Sequence, residues 1–162
     1  MSTLQGKSRV VSFTPTISTS AYAEADQVGD LQELSAVMDC PSTGAILSVT
    51  IIDKDSQNST LDVLFFSKEV TVASSDNDPL DVSDSELEEK YLGSVRVSSG
   101  DYRDLANNSV ATIGQVGILL DSIKSIPDNR KALSIWAIVR SGGTPTYTST
   151  SGLVVKVGIL LD

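Results

Sequence analysis

The chain has 162 residues, a hydrophobic content of 40% and a formal net charge of −9. This length fits one domain with a continuous core, and the acidic balance disfavours nucleic acid and anionic lipid as partners. The sequence contains no histidine and a single cysteine, Cys40. It therefore lacks the commonest general base and the residues for a cysteine zinc site or an internal disulfide. We expect neither enzymatic activity nor a bound cofactor.

The N-terminal residues 1–20 are rich in serine and threonine, with a short β-like patch at residues 10–13 and a break at Pro15. They lack the apolar region of a secretory signal, and no apolar run approaches the ~20 residues of a membrane helix. We predict an N-terminal arm over residues 1–20, either flexible or ordered as a strand against a partner. Residues 21–162 are predicted to form the domain, made in a reducing cytoplasm and not bound to a membrane.

Two apolar runs, residues 45–52 and 61–66, organise the chain. Their β-branched content and period-two alternation favour strands over helices. The alternation of the first run places four residues on one face, namely Ala45, Leu47, Val49 and Ile51. Both faces of the runs are largely apolar, which predicts strands covered on two sides. The polar residues 53–60 between the runs have a composition typical of a hairpin turn.

A sharply acidic segment follows the second apolar run. Within it, Ser83 and Glu86 have the spacing of a capping box, in which each side chain bonds the backbone N–H of the other residue. This spacing predicts a helical turn over residues 84–90. Leu87 and Tyr91 are then expected to face the core.

The remaining apolar runs predict further short strands. Residues 31–38 fit either a short helix or a strand; the other predicted strands are residues 70–72, 92–98, 110–113, 116–120, 132–140, 146–149 and 153–161, with a loop at 123–130. The hexapeptide VGILLD occurs twice, in the segments 116–121 and 157–162. Because the flanking residues differ, we interpret the two copies as core strands of similar composition. The whole pattern predicts an all-β fold, a jelly-roll-like β-sandwich with one or two short helices.

Two groups of polar residues suggest chemistry. Asp53, Asp55, Gln57 and Asn58 place hard oxygen ligands in one loop, as calcium requires, but the glycine and glutamate of an EF-hand loop are missing. The acidic residues of segment 76–89 include paired carboxylates like those of glycosidases. In a turn and a capped helix, however, such residues serve solvation and the helix dipole. Neither group therefore predicts a metal site or a catalytic site.

Eight segments, taken in order, carry a resemblance to known proteins: residues 13–17, 21–29, 48–57, 64–66, 77–87, 92–95, 101–102 and 147–149. They resemble a family of small proteins encoded in the structural gene block of tailed bacteriophages, near the major capsid protein. The resemblance extends over nearly the whole chain from Phe13 and includes no catalytic motif. It implies a virion component, a decoration or cement protein on the outside of the head.

Such a protein would be assembled in the host cytoplasm and would stabilise contacts between major capsid protein subunits. Its partners would be the major capsid protein and neighbouring copies of itself, as a possible homo-oligomer. The position and polarity of the arm and of the 53–60 loop make them the expected contact segments. The candidate contact residues are Arg9, Val11, Phe13, Pro15, Ile17, Tyr22, Asp53, Asp55 and Gln57.

Two other functions fit the composition. The first is a tail- or fibre-associated adhesin that binds a host surface glycan, which exposed aromatic side chains lining a groove would favour. The second is a carboxylate-based hydrolase on a jelly roll, which requires two of the acidic residues to face each other in a pocket.

Overall fold

The computed structural model describes residues 7–39, 43–120 and 132–161, which are mostly β-strand. The predicted loop at 123–130 and Cys40 lie outside these residues. The elements are β1 (Lys7–Phe13), β2 (Gln27–Asp39), β3 (Gly44–Asp53), β4 (Leu61–Phe66), α1 (Asp84–Lys90), β5 (Tyr91–Val97), a 3-10 turn (Ser99–Asp101), β6 (Arg103–Asp104), β7 (Ser109–Ile113), β8 (Ile118–Leu120), β9 (Ala132–Ser141) and β10 (Leu153–Leu161).

The strands form two antiparallel sheets. Sheet 1 has the order β1-β10-β3-β7-β6, with β8 also paired to β3, and sheet 2 has the order β2-β9-β4-β5. The first four strands alternate between the sheets, and the last two, β9 and β10, do so again. This interleaving is the jelly-roll arrangement, in which two Greek keys fill two facing sheets. The structure confirms the predicted all-β sandwich, with one short α-helix and one 3-10 turn among the described residues.

The main core lies between the two sheets and follows the period-two pattern of the sequence. On β10 every second residue is buried, and these residues are Leu153, Val155, Val157, Ile159 and Leu161. They pack in one cluster with inward side chains of β3, β4 and β9. Each large apolar side chain buried in this way contributes about 1.5–3 kcal/mol relative to an exposed one.

The predicted hairpin between β3 and β4 is wrong. β3 pairs with β10, β7 and β8 in sheet 1, whereas β4 pairs with β5 and β9 in sheet 2. The polar loop between β3 and β4 therefore crosses from one sheet to the other. Hairpin turns and crossover loops use the same polar residues, so the composition of the loop did not distinguish them. The two strands lie in different sheets because the apolar inner side chains of both point into the core between the sheets.

The predicted alternation along β3 also fails, at a β-bulge. The register with β10 shifts between Gly158 and Ile159, which leaves Leu47 as the extra residue on β3. Ile46, predicted to share a face with Ser48, is instead buried together with Val49. A bulge reverses the side-chain alternation beyond it, and the apolar pattern alone carried no sign of it.

The two copies of the repeated sequence lie on either side of β3 in the same register. Ile46 pairs with Ile118 on β8 and with Ile159 on β10, and Ala45 pairs with Leu119 and with Leu160. The isoleucine of each copy therefore points inwards, and the leucine that follows it points outwards.

The acidic segment, residues 74–89, belongs to a long connection that covers the outer face of sheet 2. Phe66 and Ile138 are buried there in a second cluster, beneath apolar residues of the connection that include Val70 and Leu87. Both faces of β4 are therefore covered, as predicted, whereas the same prediction fails for β3, on which Leu47 is 45% exposed.

The predicted capped helix is present as α1, because the Ser83 side chain accepts a hydrogen bond from the Glu86 N–H. Leu87 faces inwards as expected, but Tyr91 is 42% exposed, and its prediction as a core residue is wrong. The strand predicted at residues 70–72 is reduced to a single bridge between Val72 and Val82. Residues 31–38, for which the sequence fits either a helix or a strand, lie in the strand β2.

The segment predicted as an arm is built into the sandwich from Lys7 onwards. β1 is an edge strand of sheet 1 that pairs with β10 along its whole length. Beyond β1, Pro15 and Ile17 are buried, as Phe13 is at its end. The pairing partner of this strand is thus the chain's own last strand.

Gly29 at the start of β2 provides a test of the packing between this N-terminal segment and sheet 2. Its φ is +75°, and a Cβ at this position would lie 2.5 Å from the Pro15 Cβ. We predict that Gly29→Ala lowers the free energy of unfolding by about 2 kcal/mol or more, through backbone strain and overlap. Chemical denaturation measures the change.

The matched control is Gly100→Ala, because a Cβ there meets no heavy atom within 4 Å. Its free energy of unfolding should stay within about 0.5 kcal/mol of the wild type. Equal effects of the two substitutions would contradict the tight contact at Gly29.

Candidate functional site

Three segments meet at one end of the sandwich, which we call the loop end: residues 14–22, 53–60 and 142–152. The 142–152 loop lies between the other two. On one side it accepts hydrogen bonds from the Ile17 N–H, 3.0 Å from the Thr150 carbonyl, and from the Tyr22 N–H. On the other side the Thr146 N–H donates to Gln57 Oε1 at 3.1 Å. The two segments predicted to contact a capsid are thus brought together at the same end.

The 53–60 loop is held by the carboxylate of Asp53. This residue is 1% exposed, and its two oxygens accept hydrogen bonds from the Asp55 N–H at 3.0 Å and the Asn58 N–H at 2.9 Å. Burial raises the pKa of Asp53, while the N–H donors act in the opposite direction. The carboxylate is engaged by backbone donors within its own loop and does not project as a free metal ligand.

Asp55 joins this loop to the neighbouring one. Its carboxylate accepts hydrogen bonds from the Thr148 N–H at 3.0 Å and the Thr148 hydroxyl at 2.6 Å. A β-carbon on Gly152 would lie only 2.8 Å from the same carboxylate, so the two loops approach closely. Residues 53–60, predicted to form a hairpin turn, instead form a crossover loop that Asp55 holds against the 142–152 loop.

Three buried tyrosines pack against the loop end from the core side, namely Tyr22, Tyr102 and Tyr147. The rings of Tyr22 and Tyr147 form an edge-to-face pair with centroids 6.2 Å apart, an arrangement that aromatic rings favour. The Tyr22 hydroxyl donates to Asp76, and the Tyr102 hydroxyl donates to the Ser59 carbonyl. Burial raises the pKa of all three phenols, so they stay neutral and pack as rigid, mostly apolar supports.

A shallow polar groove of about 310 Å³ opens at the loop end. It is lined by Gln57, Asn58, Ser59, Thr60, Ser99, Gly143, Thr144 and Pro145. The Asn58 amide nitrogen donates to Asp104, while its buried Oδ1 has no hydrogen-bond partner among the described residues. The groove therefore offers hydroxyl and amide groups to a partner.

The predicted contact residues divide between the core and the surface. Phe13, Pro15, Ile17, Tyr22 and Asp53 are buried. They are buried because residues 13–22 close one side of the sandwich and Asp53 ends a core strand. That these residues contact a capsid stays a prediction.

The other four predicted contact residues keep some exposure. Arg9, Val11 and Asp55 are partly exposed and Gln57 is exposed. Of these, Gln57 lines the groove. Sequence reasoning missed Ser99 and Thr144, which reach the groove only because β5 and β9 end beside β4, a pairing that the linear pattern does not show.

Residues 7–39, 43–120 and 132–161 contain no group of three or more Asp, Glu, Cys or His placed to hold a metal ion. No helix within those ranges is long and apolar enough to cross a membrane. The groove lining includes no pair of facing carboxylates and no aromatic side chain.

Comparison with known proteins adds little to this description. No family model matches the chain, and no curated protein matches it. Among solved structures, the chain is similar to one from the "Israeli acute paralysis virus heated to 63 degree - full particle". The identity is 12% and the TM-score 0.29, over 96% of this chain and 67% of the other. A similarity this weak carries no argument about function.

The bracing of the loop end by Asp55 can be tested directly. Asp55→Ala removes both hydrogen bonds to Thr148, so we predict a loss of about 1–2 kcal/mol in the free energy of unfolding. The amide of Thr148 should also exchange its hydrogen faster, as hydrogen exchange followed by NMR would show.

Lys54→Ala is the control, since the Lys54 side chain is exposed and the hydrogen bond to the Gly152 carbonyl is donated by the Lys54 backbone N–H. That variant should leave the exchange of Thr148 unchanged. Unaltered protection of Thr148 in Asp55→Ala would contradict the brace.

Proposed function

We propose that the chain is a virion structural protein that decorates the outside of a phage head and stabilises contacts between major capsid protein subunits. The observation that supports this most is the construction of the loop end. The segments expected to contact a capsid meet there, and hydrogen bonds to the 142–152 loop hold both in place.

A rigid, hydroxyl-rich surface suits binding to another protein. The exposed residues of the 142–152 loop are Thr144, Thr146, Thr148, Ser149, Thr150 and Ser151, none of which is charged. Preorganised groups lose little conformational entropy on binding, and uncharged ones lose less hydration than ions would.

The N-terminal strand β1 is not part of the proposed contact. β1 is paired with β10, and Phe13 and Ile17 belong to the core. In the proposed mode residues 14–22 contribute through their exposed side chains, such as Thr14 and Thr16. Binding involves no covalent step, and many weak contacts on a symmetric capsid add up through avidity.

The adhesin is the less favoured alternative. A glycan site of the expected kind needs aromatic side chains on which sugar rings stack, and the groove lining has none. The polar groups of the groove suit hydrogen bonding to sugar and to protein alike. The lack of a stacking surface therefore favours the protein partner.

The proposal predicts that a bulky charge in the groove blocks capsid binding. Thr144 is exposed and lines the groove, so Thr144→Arg should weaken binding to heads assembled without the decoration protein by about tenfold or more. Binding is measured by co-sedimentation with purified heads. Deleting residues 1–20 is not a suitable test, because it removes β1 and two core residues.

Ser35→Arg is the matched control, because Ser35 is exposed on β2, outside the loop end. Both variants should unfold at the same denaturant concentration as the wild type, since exposed substitutions change stability little. Full binding by Thr144→Arg would exclude the loop end as the docking surface. If neither the two variants nor the wild type bound to heads, the proposed function would be wrong.

A further inference from the structure

Among the described residues, the outer face of sheet 1 carries exposed apolar side chains, in contrast to the outer face of sheet 2, which the connection after β4 covers. At the end of this face where β3 begins and β10 ends, three adjacent strands carry a row of outward residues: Leu119 on β8, Ala45 on β3 and Leu160 on β10. Leu119 is 77% exposed and Leu160 45%, and Val10 on the next strand is 69% exposed. Neighbouring strands lie about 4.8 Å apart, so these side chains form one continuous apolar patch.

The repeated sequence creates this patch. Each copy provides an isoleucine to the core and a leucine to the surface, and the copies lie in the same register on both sides of Ala45. The core isoleucines are explained by folding, whereas the surface leucines are not. Apolar patches that stay exposed on a folded protein commonly mark a surface for association.

The charge of this face is opposite to that of the rest of the protein. At the outward positions of β1, β3, β7, β8 and β10, the described residues include no Asp or Glu, and Lys156 is their one charged side chain. Lys156 is exposed and has no ion-pair partner among the described residues. The chain as a whole carries a net charge of −9.

The acidic segment presents the complementary surface on the opposite side of the sandwich. Its exposed carboxylates are Asp78, Asp81, Asp84, Glu88 and Glu89. Lys90, which pairs with Glu86, follows them, and next comes Tyr91, whose ring lies against Phe66 and is partly open to solvent. This side thus combines negative charge with an exposed aromatic ring, as a counterpart to Lys156 and the leucine row.

We propose that the outer face of sheet 1 docks the acidic segment of a second copy of this chain. The two surfaces lie on opposite sides of one sandwich, so each copy can use both of them at once. Such head-to-tail contacts are heterologous and produce rings or chains of copies. The inference does not rest on capsid binding, because it concerns the purified chain alone.

Sedimentation velocity of the purified protein over a wide concentration range tests this proposal. The wild type should associate, and added salt should weaken the association because exposed charges are screened within about 10 Å at 0.1 M. Lys156→Glu places like charges together and should weaken association about tenfold or more. Leu119→Ser, which removes the most exposed leucine, should also weaken it. Lys54→Glu makes the same charge change at the loop end and should have no effect.

Mixing two defective variants separates this arrangement from its alternatives. The double variant Glu88→Lys, Glu89→Lys should associate weakly alone, and mixing it with Lys156→Glu should restore association through the reversed charge pair. In a symmetric dimer that joins two sheet 1 faces, Lys156→Glu would not weaken association. The double variant Glu88→Lys, Glu89→Lys would then associate like the wild type. That result, or a wild type that remains monomeric at every concentration, would overturn the proposal.

Discussion

The buried carboxylate of Asp53 is the constraint on which the loop end depends. β3 and β4 both turn apolar faces to the core, so the chain between them must leave one sheet and enter the other. A crossover of this kind leaves backbone N–H groups without strand partners, and unpaired buried donors are costly. Asp53 satisfies two of them at the point where β3 ends. Asp55 then fixes the crossover to the 142–152 loop, which in turn holds residues 14–22.

Much of the fold could be predicted from local patterns. Period-two apolar spacing identified the long strands, and the Ser83 cap identified α1, because each signal depends on residues close in sequence. The failures concern pairing over long distances. The polar loop after Asp53 did not reveal that it crosses between sheets. The bulge at Leu47 depends on the register with β10, and β1 is specified by a partner strand at the far end of the chain.

The candidate site was only partly predictable for the same reason. Gln57 was found because a polar loop residue next to a core strand is usually at the surface. Phe13 and Ile17 were assigned to the surface because an N-terminal segment rich in serine and threonine resembles a free terminus. They are buried because they pack beneath the 142–152 loop between β9 and β10, and no local sequence pattern reveals that contact. Jelly rolls occur in capsid proteins, lectins and cupins, so the fold alone does not choose among these functions.

We propose that this protein binds the outside of a phage head through its loop end. Cryo-electron microscopy of particles assembled with and without the chain tests it most directly. We expect extra density on the head exterior in the first sample only, fitted by the sandwich with residues 53–60 and 142–152 against the major capsid protein. Extra density on the tail or fibres, or particles that are identical in the two samples, would contradict it.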